Sequence, residues 1–371
     1  MQSRSSSKAR DCPGARFGMP SERQAGGMSG TGRIPGFILA LLLGATGGAL
    51  FTWIGMPLSW MLGSMTACGI ASIMSLPVRG STLARPPMSA VIGTMLGSQF
   101  GPHTLESAAM WWPALLALAA YLAVAAVLCN VYLRRVIHLD RRTAFFSAMP
   151  GGLVDMVLLG AEKGGDERTI ALMHSSRIFL VVLSLPPLMT LITGADPGAR
   201  VATWRPLSDM GSADVFWFIA TLGAGIGLGK LLRLPAPYLI GPMLVSAGLH
   251  WTGASGFVVP STVMAVAQVV LGTVVGCRFA GTAPKRILHI LMTSAGATAI
   301  LLSVAVIFAF ALHRIIEVPV EGILLAFAPG GLAEMSLVAL ALNLEVAFVV
   351  VSHISRIGMV ILAAGLLASR D

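Results

Sequence analysis

From Pro35 onward the chain alternates long apolar runs with short polar, glycine- or proline-bearing breaks. A helix needs about 20 predominantly apolar residues to cross the hydrocarbon core of a bilayer. The runs predict spans near 35–54, 57–76, 87–101, 111–133 and 168–192, and a second set near 212–231, 237–253, 260–280, 287–312 and 345–368. The third run is short, and the fifth carries Pro186-Pro187 near its end, which predicts tilting or a kink. Two segments, 142–161 and 321–342, are also apolar but are broken by Pro-Gly-Gly. The pattern therefore predicts an all-α fold, a polytopic transmembrane helical bundle.

Composition agrees with the pattern. The chain of 371 residues is 56% hydrophobic and 11% charged, with mean hydropathy +0.83. A soluble domain cannot hide that much apolar surface, so the lipid bilayer is the first expected partner. The formal charge of +9 does not point to nucleic acid, because the basic residues are scattered between apolar runs, where they set orientation. Four cysteines lack C-x-x-C spacing, so neither a disulfide framework nor a zinc site is expected. Residues 1–33 are polar and basic and read as a disordered cytoplasmic tail without the order of a cleaved signal. Translation is expected to begin at Met19 or Met28.

Landmarks recur along the chain. Pro57 and Gly63 return 178 positions later as Pro235 and Gly241. Gly93-Thr94-Met95-Leu96-Gly97 returns at 179 positions as Gly272-Thr273-Val274-Val275-Gly276. Pro150 to Pro329 and His174 to His353 are also 179 apart. The reading is a tandem duplication: the tail 1–33, a first repeat 34–192, a linker 193–211 and a second repeat 212–371. If each Pro-Gly-Gly segment enters and leaves on one side, each repeat has five spans, and every strong Lys/Arg cluster falls inside. That pattern selects inverted repeats, a transporter architecture. The alternative is six spans per half in parallel.

The polar chemistry is also duplicated. Pro150-Gly151-Gly152 precedes Asp155 and is followed by His174 and Arg177; Pro329-Gly330-Gly331 precedes Glu334 and is followed by His353 and Arg356. Proline stops a helix, and irregular backbone at membrane depth survives only inside protein or beside a water cavity. Each Pro-Gly-Gly is thus expected to be a re-entrant broken helix whose second half starts at a site attractive to anions. A buried charge needs a partner, and the carboxylate of the same repeat is the expected partner of each arginine. These twelve residues are the candidate substrate or ion site. Arginine acts as an anion clamp with Asp/Glu and His coupling protons, or the residues form a buried pair that pins the loop. The two histidines and two carboxylates gathering as a metal site is a lesser alternative. No cofactor is expected. The G-x-x-x-G pairs read as packing, Arg278 as a snorkelling cation, and Asp166 as a helix cap.

Pro57…Trp60…Gly63, Met149-Pro150-Gly151-Gly152, His174-Ser175-Ser176-Arg177 and their second copies resemble the bacterial membrane AbrB family over about 35–368. The resemblance implies a multi-pass inner-membrane protein of two homologous halves. The family carries conflicting labels, ammonia monooxygenase and regulator of gene expression. It shares only a name with the soluble DNA-binding AbrB regulators. No helix-turn-helix or basic recognition element is visible, and no compact His cluster supports the monooxygenase label. The expected function is secondary transport of a small anionic metabolite, with the N-terminus cytoplasmic and room for a homo-oligomer. The alternative is indirect regulation of gene expression from the membrane.

Overall fold

The computed structural model describes residues 33–101, 104, 107–193 and 204–368. The basic tail and most of the linker lie outside the described residues. Fourteen α-helices and no strand are found among those described. In chain order they are α1 (Arg33–Trp53), α2 (Ser59–Ile73), α3 (Arg85–Gly97), α4 (Trp112–Arg135), α5 (Arg141–Ala148), α6 (Leu153–Glu162) and α7 (Glu167–Thr193). There follow α8 (Ser212–Leu231), α9 (Pro237–Trp251), α10 (Ser261–Gly276), α11 (Pro284–His313), α12 (Val320–Phe327), α13 (Leu332–Ala341) and α14 (Val346–Ala368). Seven of them, α1, α4, α7, α8, α10 with the 3₁₀ turn after it, α11 and α14, are long and apolar enough to cross a membrane. The protein is a polytopic helical membrane bundle.

Three expected spans are shorter than the apolar runs that predicted them. The helices α2, α3 and α9 have 15, 13 and 15 residues. At 1.5 Å per residue each is roughly 20 Å long, less than the ~30 Å hydrocarbon core. Local chemistry limits them. Leu58 and Ala236, the residues just before α2 and α9, are left-handed, and Ser75 and Gly253 turn the chain soon after. Helix α7 instead runs on through Pro186-Pro187 to Thr193.

The helices sort into two bundles, each drawing on both halves of the chain. In one, α1 packs on α2 and α8 on α9, while α2 lies along α10 and α3 along α9. In the other, α4 crosses α11, α11 packs on α7, and α4 on α14; the short helices α5, α6, α12 and α13 fill this bundle. Contact between the bundles is lighter and runs through α3, α7, α13 and the 3₁₀ turn Cys277–Phe279.

Close approaches across the halves come in matched pairs. A Cβ on Gly93 would strike the Leu239 carbonyl, and one on Gly272 would lie 2.5 Å from the Met61 carbonyl. Gly97 meets Met243 in the same way, and Gly276 meets Met65. Advancing along α3 thus advances along α9, and advancing along α10 advances along α2, so both pairs run parallel. The α4·α11 pair is antiparallel: Tyr121 donates to the Leu301 carbonyl at 3.4 Å, while Tyr132, further along α4, meets Gly296, earlier in α11. Not every G-x-x-x-G pair packs, because Gly223 and Gly227 face open space.

Candidate functional site

Both Pro-Gly-Gly segments are breaks between two short helices. Helix α5 ends at Ala148, residues 149–152 are irregular, and α6 starts at Leu153. Likewise α12 ends at Phe327 and α13 starts at Leu332. The first pair enters and leaves by one end of the molecule. The Asp166 amide after α6 donates to Thr143 Oγ1 at the start of α5, at 2.8 Å. Asp166 caps α7 as expected, accepting from the amides of Arg168 and Thr169. Arg286 reaches Asp166 Oδ2 at 3.8 Å and Arg168 donates to the Gly281 carbonyl, so the basic loop before α11 shares this end.

A break leaves carbonyls orphaned at the end of the first helix and amides at the start of the second. Each set is answered by a different part of the motif. Arg177 donates from Nη1 to the Met149 carbonyl at 3.1 Å and to Ser147 at 3.5 Å. His174 Nε2 donates to the Phe146 carbonyl at 2.9 Å, and its Nδ1 accepts from Arg177 Nη2 at 2.7 Å. In the second element Arg356 donates to Ala328 and Gly330 at 2.6 and 2.7 Å, and His353 Nε2 donates to Leu325 at 3.0 Å. A guanidinium at a helix C-terminus also meets the negative end of the dipole, which contributes about 0.3–2 kcal/mol.

The carboxylates face the other orphan set. Gly152 and Gly331 occupy the N-cap positions of α6 and α13 and carry no capping side chain. A Cβ at Gly152 would collide with the Asp155 carboxylate, and one at Gly331 with Glu334. The second glycine therefore leaves room for the acid three residues on to fold back over the start of its helix, as in half of a capping box. The glycines are not needed for left-handed backbone, since φ is −63° at Gly152 and −78° at Gly331. Gly151 and Gly330 instead leave space for Val360 and Met335.

These bonds correct the expected pairing. Arg177 and Arg356 bind backbone carbonyls rather than Asp155 and Glu334, because the half-helix ends place orphaned carbonyls within reach of the guanidinium nitrogens. Both arginines are buried, 4% and 3% exposed, and each keeps only its Nε without a partner. The terminal guanidinium nitrogens of both are thus engaged at the breaks. Each histidine uses its Nε2 on a carbonyl, so the pair does not converge with the carboxylates. Among the described residues no group of three or more His, Cys, Asp or Glu is placed to hold a metal ion.

Two features were not anticipated from sequence. Tyr121 is fully buried between the elements, with its ring 5.4 Å from Phe327 and its oxygen within electrostatic range of both Arg177 and Arg356. A lone tyrosine inside the apolar run of α4 was the available signal. Arg278 is the second. It does not snorkel but turns inward and donates to Ser175 Oγ at 3.2 Å. A cavity of about 390 Å³ lies beside the first break, lined by Asn130, Phe145, Met149, Pro150 and Val360 among others. The Asn130 Oδ1 atom is buried there without a partner.

The profile of a family described as transition state regulatory protein AbrB matches residues 60–370. The chain belongs to the AbrB family. The Bacillus subtilis (strain 168) protein "Uncharacterized protein YhjN" is 30% identical over 354 residues, covering 86% of this chain and 89% of the relative. The Escherichia coli (strain K12) protein "Putative regulator AbrB" is 25% identical over 333 residues, covering 89% of this chain and 94% of its own length.

Proposed function

We propose that this AbrB protein is a secondary transporter of a small anionic metabolite in a bacterial inner membrane, with its N-terminus cytoplasmic. The two broken helices stand at its centre and belong to oppositely oriented repeats. The observation that carries the reading is the sense of the cross-half pairs. With five crossings per half, α3 and α9 traverse the membrane in the same direction, as do α2 and α10, and α4 opposes α11. Six crossings per half would make α3 and α9 antiparallel. The two bundles built from both halves support the same reading. Broken helices at the interface of inverted repeats are a recurrent way to build a transport site.

Topology and activity are tested separately. In a Cys12→Ser background, Arg141→Cys and Arg314→Cys are expected to react with an impermeant thiol reagent from opposite faces of the membrane. Labelling of both from one face sinks the inverted arrangement. In proteoliposomes carrying a pH or sodium gradient, uptake of small carboxylates is expected and should fall in Pro150→Ala and Pro329→Ala. No gradient-driven flux of any small anion refutes the transport reading.

The name of the Escherichia coli relative favours a second reading, a membrane protein that affects gene expression indirectly through a partner or through metabolite flux. A stoichiometric soluble partner co-purifying with the intact protein would support it.

A further inference from the structure

The two broken helices differ in what covers them. The first borders the cavity of about 390 Å³, a size within the roughly 300–1,000 Å³ common to ligand pockets. Its walls are α4, the break itself at Met149 and Pro150, and α14. On α4 the lining residues Ala119, Ala123, Ala126 and Asn130 stand at i, i+4, i+7 and i+11, so they form one stripe. The stripe runs roughly 16 Å along the helix, about half of the ~30 Å hydrocarbon core and so the depth of one leaflet. Ala119, Ala123 and the neighbouring Val127 are exposed, so the cavity opens sideways, where a membrane bundle meets lipid.

At the second broken helix, protein closes the matching place. The α11 residues 179 positions beyond Ala123, Ala126 and Asn130 are Leu302, Ala305 and Ala309, and all three are buried.

The apolar stripe on α4 ends in two polar groups. Asn130 Oδ1 is buried in the cavity wall without a hydrogen-bond partner, which is costly away from water. A carboxamide can offer its oxygen or, turned over, its NH2 group. One turn further along the same face is Arg134, exposed in the last turn of α4 beside Arg135. The next acid along the chain, Asp140, already accepts from the Thr143 amide.

We propose that this groove is a binding site for an anionic phospholipid of the leaflet at the Arg134 end. One acyl chain fills the cavity against Pro150, an ester carbonyl accepts from the turned Asn130 amide, and the phosphate rests on Arg134. Apolar wall, amide and guanidinium follow one another as chain, ester and phosphate do in a phospholipid. Basic residues at the end of a spanning helix attract anionic headgroups. A small water-soluble anion would leave the long apolar wall unused. The lipid seals the open side of the first break as protein seals the second, and the site stands whether or not the protein transports anything.

The test is native mass spectrometry of the full chain released from detergent micelles, titrated with dioleoylphosphatidylglycerol and, as the zwitterionic control, dioleoylphosphatidylcholine. One phosphatidylglycerol per chain should be held several-fold tighter than phosphatidylcholine. Ala126→Phe fills the cavity and should weaken both lipids by about tenfold or more, the worth of two lost methylenes. Arg134→Gln should weaken phosphatidylglycerol by about fivefold, the worth of one charge at a lipid surface, and leave phosphatidylcholine unchanged. Asn130→Leu should weaken both. Should Ala126→Phe not fold, Ala123→Phe at an exposed lining position carries the same test. Val124→Phe, exposed on α4 outside the cavity, should bind as the parent does. The proposal is overturned if the parent holds the two lipids equally, if the folded lining variants or Arg134→Gln bind as the parent does, or if Val124→Phe loses as much as Ala126→Phe.

Discussion

The two Pro-Gly-Gly elements are alike in backbone and unlike in setting. In the second, α12 is buried from Gly322 to Phe327 and α13 buries Leu332 and the run Met335–Ala339. In the first, α6 buries only Met156 and Gly160, and its Val154 and Leu158 are 63% and 59% exposed. One broken helix is thus encased in protein, and the other has a face at the periphery. The comparison separates what the motif must do from what it can do. Answering the orphan carbonyls with an arginine and a histidine is common to both copies, whereas enclosure belongs to the second copy alone.

The largest effects are expected at the arginines that pin the breaks. Arg356→Ala leaves two carbonyls unanswered in a fully enclosed element, at a cost of about 3 kcal/mol or more from acceptors stranded without water. Arg177→Ala should cost less, because its bonds to the carbonyls are longer, 3.1 and 3.5 Å against 2.6 and 2.7 Å for Arg356, and so weaker. Thermal unfolding in detergent orders the two; equal losses would break the distinction between encased and peripheral copies.

At the first glycine of each break the order should reverse. A methyl group at Gly151 would lie 2.8 Å from Val360 Cγ1, on a stiff β-branched side chain, while one at Gly330 meets Met335, which bends easily. Gly151→Ala is expected to cost about 1–3 kcal/mol and Gly330→Ala less than about 1 kcal/mol. The same melting assay reads both.

The smallest effect concerns how the elements begin. Asp140 caps α5 by accepting from the Thr143 amide at 2.9 Å, whereas α12 begins after Pro319 and has no side-chain cap. Partial burial alone would push the Asp140 carboxyl up. The hydrogen bonds from Thr143 and the Arg142 amide outweigh it and hold the carboxyl below its ordinary value. Its folded value being depressed, its stabilisation is complete above the ordinary aspartate range and fades as pH falls through the lowered value. Asp140→Ala should cost about 1 kcal/mol near neutrality and nothing once the medium is acid enough to protonate the parent. Melting curves against pH would show the two proteins converging; a constant gap would mean that the carboxylate is not the cap.

Much of this was legible before any coordinates. Hydrophobic runs located the long helices to within a few residues, and the Pro-Gly-Gly punctuation located both breaks. The length of α2, α3 and α9 was not legible, because apolar loops such as 54–58 extend the greasy run beyond the helix. The partners of Arg177 and Arg356 were misread for a different reason. Side-chain letters advertise Asp155 and Glu334 as counter-charges, but a backbone carbonyl has no letter, and only the fold shows which ones are stranded. Arg278 was misread because its partner, Ser175, lies 103 positions away across a seam that no local pattern encodes.

The exchange of partners between halves, α2 with α10 and α3 with α9, has a mechanical meaning. Neither half of the chain holds a seam of its own along which it could separate from the other. The surface with the least holding it together lies between the bundles instead, and Arg278 and Ser175 face each other across it. Sliding along that surface would carry both broken helices together, as cargo on a single platform, past a fixed wall made jointly by the beginnings of both halves of the chain.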